Sequence, residues 1–362
     1  MAAMIIVAAD LLRRQIAAVY DQWGMSKEHI DTTVQVMVET DLRGIDSHGI
    51  GMLAGYQDKK DHGRLKPRPD IRIVHETPAT ALIDADRSIG HPPAVMAMKL
   101  AVQKAKVVGI GAVGVRNSNH YGAAGYYSTI ASDMGVIGMA FTSVTSPIVV
   151  PTFSRDPYLG TNPIAFAAPA RKNKAFSLDM ATSTVASGKV SIAKRAGKPM
   201  PVGWVLDRQG QPLTDASKAP SGNRRLTPLG GSRELGSHKG YGLAVMVEIL
   251  CSTLNGQRSG PRDADDIGFR NKTKETVGHF FMAIDPEMFG GGEAFRDEMD
   301  ALMDRLRGLP PVDPNEPVQV AGDAEYKAYE ERSRSGIPLT PALYEEVREV
   351  CKKSGADFIL GK

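Results

Sequence analysis

Apolar positions recur at helical spacing near the start of the chain and gather into short runs through its middle. Ile30, Val34, Met37, Val38 and Leu42 fall at i, i+4, i+7, i+8 and i+12, one stripe along a helix. The pattern predicts helices over residues 9–23 and 27–43, parted by Gly24, with Ser26 as N-cap of the second. The runs Ile71–Val74 and Ala81–Asp84 read as strands around the turn Thr77-Pro78, after a basic, proline-containing connector at 63–69. A helix follows over 92–107, with Val95, Met98, Val102 and Ala105 on one face. Beyond it, Gly111–Val115, Val136–Phe141, Ile164–Ala168, Phe176–Leu178 and Gly278–Ile284 read as strands. Helices are predicted over 122–134, 184–196, 243–254 and 293–307. Prolines between Leu309 and Pro317 make an extended connector and 323–335 reads as a charged stretch. Thr340 and Pro341 then stand at N-cap and N1 of a terminal helix. With 362 residues, the chain has room for one large α/β domain or two moderate ones.

The strands discharge into polar residues. Asn117 to Tyr127 holds an imidazole, small hydrogen-bonding side chains, glycines and tyrosines just after a buried strand, the position where open α/β folds place their chemistry. His120 is the side chain there that exchanges a proton near neutral pH. The pattern repeats at Thr142-Ser143, at Gly160-Thr161-Asn162-Pro163 and at Asp179-Met180-Ala181-Thr182-Ser183. Any single one is also ordinary turn chemistry; together they suggest one polar pocket. His48 sits in the tight turn Ser47-His48-Gly49, where satisfying a local backbone group is the plain alternative to a functional role. Residues 208–237 form a long glycine-rich excursion, of the kind that serves as lid, binding loop or oligomer contact. It leads to Lys239, placed just ahead of a helix start, where its charge would join exposed N–H groups in holding a phosphate, against the alternative of a solvated lysine.

Gly109-Ile110-Gly111-Ala112-Val113-Gly114 matches the dinucleotide fingerprint GxGxxG, yet these glycines follow a helix and lead into a strand. The mechanism of that fingerprint needs strand, glycine turn, then helix. A Rossmann fold is therefore not expected from it.

Composition narrows the partners. Basic residues number 44 against 41 acidic, interspersed along the chain without the Lys/Arg stripe that phosphate-backbone binding requires, which argues against nucleic acid. Cys251 and Cys351 lie in helical segments without a CxxC partner, as reduced packing thiols do. The apolar start at 4–9 is short and lacks a preceding basic region, so neither a signal peptide nor a membrane span is expected, and the location expected is cytoplasmic. The eight histidines show no HxxxH or HExxH spacing, so no metal site is expected. Residues 256–277 are charged and irregular, with mobility the expectation.

Six blocks, in order, carry a resemblance across nearly the whole chain. They are Asp41-Leu42-Arg43-Gly44 with Ser47-His48-Gly49, Asn117–Gly122, Gly160–Pro163, Asp179–Ser183, Gly203-Trp204 with Asp207, and His238–Gly242. Together they resemble the malate/L-lactate dehydrogenase family of the non-Rossmann type, which includes ureidoglycolate and sulfolactate dehydrogenases, diketogulonate reductase and piperideine-2-carboxylate reductases. The resemblance implies an α/β protein with a mixed-sheet nicotinamide-binding domain at 69–311. It also implies a mainly helical substrate and dimer domain built from 1–68 and 312–362. It implies NAD or NADP as cofactor, a small 2-hydroxy or 2-oxo acid as substrate, and a homodimer. His120 would donate and accept the proton, with His48, Ser47 and Tyr56 in the substrate pocket. Ser143, Thr161, Asn162, Asp179, Met180, Ala181 and Lys239 would lie along the cofactor or at its junction with the substrate. Asp179 would orient a histidine or contact the cofactor.

The chain departs from relatives in two places. Met52 stands where many carry an arginine that clamps a substrate carboxylate, leaving Arg43, Arg155 or a residue of the 223–237 loop as substitutes. The segment Ser232–Ser237 lengthens the approach to His238. The alternatives are a reductase of a cyclic 2-imino acid, a non-catalytic nucleotide-binding relative, and a hydrolase using Ser47 and His48. Against the last, adjacent residues in one tight turn seldom bring hydroxyl and imidazole into hydrogen-bond geometry.

Overall fold

The computed structural model describes residues 3–144, 146–219, 224–257 and 276–361. In chain order the main elements are β1 (Ile5–Val7), α1 (Ala9–Gln22), α2 (Lys27–Leu42), α3 (Leu53–Asp61), β2 (Arg72–Glu76), β3 (Thr80–Asp84), α4 (His91–Val108) and β4 (Ile110–Ser118). Next come α5 (Ala124–Asp133), β5 (Ile137–Thr142), β6 (Ile164–Ala168), β7 (Phe176–Met180), α6 (Ser187–Ala196), α7 (Ser237–Glu248) and β8 (Val277–Ile284). The chain closes with α8 (Gly292–Arg307), α9 (Asp323–Ser335), β9 (Ile337–Leu339) and α10 (Pro341–Ser354).

Local signals set several of these. The Ser26 side chain accepts from the His29 N–H and starts α2, and Thr340 does the same for α10 from Leu343. All five residues of the predicted α2 stripe are buried, each stabilising the fold by about 1.5–3 kcal/mol. They pack with α1, Tyr56 of α3 and Ile337, Leu339, Val347 and Val350 of the C-terminal segment in one apolar cluster.

The large sheet has the order β2-β3-β4-β8-β5-β6-β7. β3 and β4 run parallel and the other pairs antiparallel, so the sheet is mixed. Gly109 ends α4 and β4 begins at Ile110, the order that the fingerprint mechanism excludes. Ala94, Ala97, Met98 and Ala101 of α4 and Tyr127 and Ala131 of α5 cover one face against Ile83, Val113, Val115, Ala140 and Phe281. A third cluster, with Val149, Leu159, Val190, Met200, Val205 and Leu226, gives described parts of the 208–237 excursion a packed core. Both cysteines are free and buried. Among the described residues no helix is long and apolar enough to cross a membrane.

Four expectations change. β7 runs on through Asp179 and Met180, which were read as the turn beyond it, because both continue the pairing with Ala165 and Ile164. α7 begins at Ser237, so Lys239 lies inside its first turn. The sequence placed the start later because of the glycines at 240 and 242. At Gly240 the backbone of Leu229 approaches so closely that a Cβ would meet its N and O at 2.4 Å, which makes a glycine necessary inside this helix. The charged stretch 323–335 is the helix α9, and the short apolar start contains β1, paired antiparallel with β9. The stretch 256–277 lies mostly outside the described residues.

Candidate active site

β4 ends in a bulge. Its pairing with β8 shifts register between Val115 and Ser118, and Asn117 takes φ +53°, a left-handed conformation that Asn tolerates better than most. Polar side chains fix the turn. Asn117 donates to Asp84 Oδ2 at 2.9 Å, and the buried Asn119 donates to the carbonyls of Arg87 and Ser88 at 3.1 and 3.0 Å. His279, on β8, bonds Ser118 Oγ through Nε2 at 2.8 Å and Thr142 Oγ1 through Nδ1 at 2.7 Å. Burial pushes His279 down to about 3, so a neutral ring bridges the ends of β4 and β5. The Tyr121 ring lies flat on it with centroids 4.4 Å apart.

This frame presents His120. Tyr56 Oη stands 2.8 Å from His120 Nδ1, and the Gly122 N–H also points at Nδ1 from 3.3 Å. An amide N–H only donates, so Nδ1 is the acceptor and the neutral ring carries its proton on Nε2. A protonated ring would set a second N–H against that of Gly122. The electrostatics agree: burial first, then the neighbouring His48, Lys59, His91 and His279, holds His120 well below the usual histidine value.

The His48 ring faces that of His120 with centroids 5.4 Å apart, and burial lowers its affinity for a proton as well. Ser47 Oγ meets His48 Nδ1 at 2.7 Å, against the expectation that neighbours in a tight turn seldom do so. The turn, closed by the His48 N–H on the Ile45 carbonyl at 2.9 Å, folds both side chains to one side. Among the described residues no carboxylate hydrogen-bonds His48, so the pair lacks the orienting third member of a hydrolytic triad.

His91 was not found from the sequence. It is fully buried, and neither ring nitrogen has a hydrogen-bond partner among the described residues. It meets the Tyr56 ring edge-on at 5.6 Å, and burial pushes it down to about 3. Its only signal was a histidine ahead of two prolines at a helix start.

On the sheet side, Asp179 Oδ2 accepts from the Gly125 N–H at 2.7 Å, which ties β7 to the start of α5 just after the His120 loop. Solvent reaches Asp179, but the protein crowded around it raises its carboxyl to about 6, against the opposing pull of the Gly125 and Ala124 N–H groups. Met180 and Ala181 follow, half-buried. Ser143 is buried beyond β5, its N–H on the Gly278 carbonyl at 3.1 Å. Asn162 is buried with both ends of its amide engaged: Oδ1 accepts from Val144, and Nδ2 donates to Ala244 and Glu248. The Thr161 carbonyl accepts the Thr182 hydroxyl at 3.0 Å. Lys239 is exposed in the first turn of α7, whose N-cap, Gly236, provides no side-chain acceptor. Backbone carbonyls take part of that helix start: the Ser237 N–H donates to Ser232 and the Lys239 N–H to Gly236, each at 2.9 Å.

The structure thus groups Ser47, His48, Tyr56 and His120, with Asp179 linked to the same loop through Gly125. No hydrogen bond or ring contact joins Thr161, Asn162 or Lys239 to the histidines. The substitutes for the missing arginine are engaged elsewhere: Arg43 lies over the Tyr326 ring at 5.4 Å, Arg155 sits 3.8 Å from Asp156, and the loop residues Arg224, Arg225 and Arg233 bond Ser191, Asp156 and His238. Met52 itself packs against the helical core. Lys59, two turns along α3 from Met52 and on the same face as Tyr56, approaches Asn119 Oδ1 at 3.5 Å, and its charge is felt by His120.

A buried imidazole held by Tyr56 at the end of a strand of a mixed sheet fits an oxidoreductase of the dehydrogenase class outside the Rossmann folds. The comparisons agree. A family model for malate/L-lactate dehydrogenase matches residues 7–348. The chain is 39% identical over 352 residues to the malate dehydrogenase of Pyrococcus horikoshii, covering 97% of this chain and 96% of that one. It is 39% identical over 346 residues to the L-sulfolactate dehydrogenase of Methanocaldococcus jannaschii, covering 96% of each. The crystal structure of malate dehydrogenase from Entamoeba histolytica superposes with a TM-score of 0.90 at 31% identity, over 98% of this chain and 99% of that one. The chain belongs to the malate/L-lactate dehydrogenase family, whose members act on CH–OH groups.

Proposed function

We propose that this enzyme is an NAD(P)-dependent dehydrogenase of small 2-hydroxy acids, running also as a reductase of the 2-oxo acids. The observation that carries the reading is the Tyr56–His120 pair, which leaves Nε2 of His120 as the nitrogen free to exchange a proton. The nicotinamide, when bound, supplies the hydride acceptor or donor for substrate C2. In the resting tautomer Nε2 already carries the ring proton. To take the hydroxyl proton during oxidation, the ring first holds its own proton on Nδ1, donated to Tyr56 Oη, which frees the Nε2 lone pair. In reduction the protonated ring returns the Nε2 proton to oxygen. His48, oriented by Ser47, lies on the substrate side. The substrate carboxylate is drawn by Lys59 in place of the absent arginine.

In this reading the sheet unit, 69–311, holds the cofactor, and 1–68 with 312–362 forms the substrate unit of a homodimer. Ser143, Asp179, Met180 and Ala181 line the cofactor side. Lys239 and the start of α7 hold a phosphate, while Thr161 and Asn162 shape the intervening scaffold. Titration with NADH and NADPH, followed by tryptophan and nicotinamide fluorescence for wild type and Lys239→Ala, ranks the two cofactors. Saturable binding weakened in the variant is expected, followed by turnover on a panel of 2-oxo acids. The absence of binding by either nucleotide would sink the reading. Turnover confined to cyclic 2-imino acids would move it to the imine reductases.

A further inference from the structure

The block Asp41-Leu42-Arg43-Gly44 has a carboxylate that no catalytic role absorbs. Asp41 is at the end of α2 and only 1% exposed. Its Oδ2 accepts from the Ile50 N–H at 2.8 Å. Ile50 begins a 3₁₀ turn, Ile50–Met52, that runs directly into α3. The carboxylate therefore caps the helical run that carries Tyr56, at the end where unpaired N–H groups favour negative charge.

The same carboxylate bears on the histidine turn. A Cβ on Gly49 would fall 1.9 Å from Asp41 Oδ1, so the chain leaving His48 runs against the carboxylate with no room for another atom. From the far side, Arg332 of α9 donates to the Asp41 carbonyl at 2.6 Å and pairs with Asp46 in the turn. One buried acid and one arginine thus hold both ends of the segment from Asp46 to Ile50.

We infer that Asp41 is a positioning residue, whose carboxylate sets where His48 and Tyr56 stand relative to His120. It touches neither substrate nor cofactor and acts through the Ile50 N–H and through Gly49. The charged groups facing it are Asp46 from the turn and Arg332 from α9. Burial raises its carboxyl to about 7, with Asp46 adding to the rise and the Ile50 N–H and Arg332 opposing it. The cap therefore changes charge in the range where a dehydrogenase works. This extends the functional reading above, but its test does not need turnover.

The His48 ring resonance is followed against pH by NMR in ring-labelled full-length protein, assigned with His48→Gln. The wild type is expected to show an inflection near 7 from Asp41, apart from the lower titration of His48 itself. Asp41→Asn keeps the shape and an oxygen for Ile50, and it should abolish that inflection. The exposed Asp46→Asn leaves the core untouched and should move it to lower pH, since Asp46 raises the Asp41 carboxyl. In steady-state assays Asp41→Asn should lower kcat about tenfold and remove the limb near pH 7, with nucleotide affinity unchanged. A His48 resonance with the same pH dependence in wild type, Asp41→Asn and Asp46→Asn overturns the inference. A wild type without turnover on any substrate would overturn the functional reading and leave this result standing.

Discussion

Tyr56 Oη and His120 Nδ1, 64 residues apart in the chain, meet at 2.8 Å. The contact joins α3 to the loop after β4 and, with the Gly122 N–H, decides which ring nitrogen is free. Tyr56→Phe keeps the ring against His91 and deletes only the hydroxyl. Losing one such bond, about 1–2 kcal/mol, should lower kcat about 5- to 30-fold with NAD(H) or NADP(H) affinity unchanged. An unaltered kcat in stopped-flow assays would show that the hydroxyl does not fix the tautomer.

His120→Gln removes the proton carrier and should cost about 10²- to 10⁴-fold in kcat. Because the His120 pKa is lowered, the wild-type ring is neutral at and above neutral pH. Oxidation of the hydroxy acid needs that neutral form, so its rate holds on the alkaline side and declines as pH falls through the low His120 value. Reduction needs the proton and rises over the same range. In Asp41→Asn, with the limb near 7 gone, this lower limb should remain alone.

Lys59→Met separates two effects. KM for a carboxylate substrate should rise about tenfold if the ammonium draws the carboxylate, while Kd for the nucleotide stays constant. The same variant removes a positive neighbour of His120, so its pKa rises and the acid limb of oxidation moves to higher pH. A shifted limb without a change in KM would leave Lys59 an electrostatic role alone.

The predictions differ in how far the sequence led to them. The caps at Ser26 and Thr340, the α2 stripe and the wrong-order glycines were legible because each is decided within a few residues. Tyr56 and His48 came through the resemblance, since nothing local joins α3 to a loop 64 positions on. The helix α9 was obscured by its charge: it buries no residue fully and is held by pairs such as Arg307–Asp323 at 2.7 Å and Arg332–Asp46. Asp41, His91 and His279 matter through burial, which no single-sequence pattern reveals.

Asp41 also predicts a stability profile. A carboxyl raised from 3.8 to about 7 makes the folded state hold its proton more tightly than the unfolded chain does. Its contribution is complete below 3.8 and is lost as pH rises toward 7, by about 4.5 kcal/mol at most, at roughly 1.4 kcal/mol per pH unit. Calorimetric Tm should therefore fall less between pH 4 and 8 for Asp41→Asn than for wild type. Parallel curves would mean that the carboxyl titrates at its ordinary value.

His279→Phe keeps an aromatic ring against Tyr121 but deletes the two ring-nitrogen bonds that tie Ser118 to Thr142, leaving those hydroxyls only the carbonyls of Asn119, Ser143 and Gly278. With about 0.5–1.5 kcal/mol for each buried hydrogen bond lost, urea unfolding should shift to a lower midpoint. An unchanged midpoint would mean that the carbonyl bonds of the two hydroxyls suffice without the ring.

The three-residue pairing of β1 with β9 has a consequence for synthesis. Ile5 lies opposite Leu339, so the helical unit shuts on itself only when nearly the whole chain exists. A nascent chain has every strand of the large sheet once Ile284 has emerged, while the apolar faces of α1, α2 and α3 still lack α9, β9 and α10. His120 can thus be framed by its sheet well before Tyr56 and His48 are locked opposite it. In that interval the apolar faces of α1, α2 and α3 stay open to water.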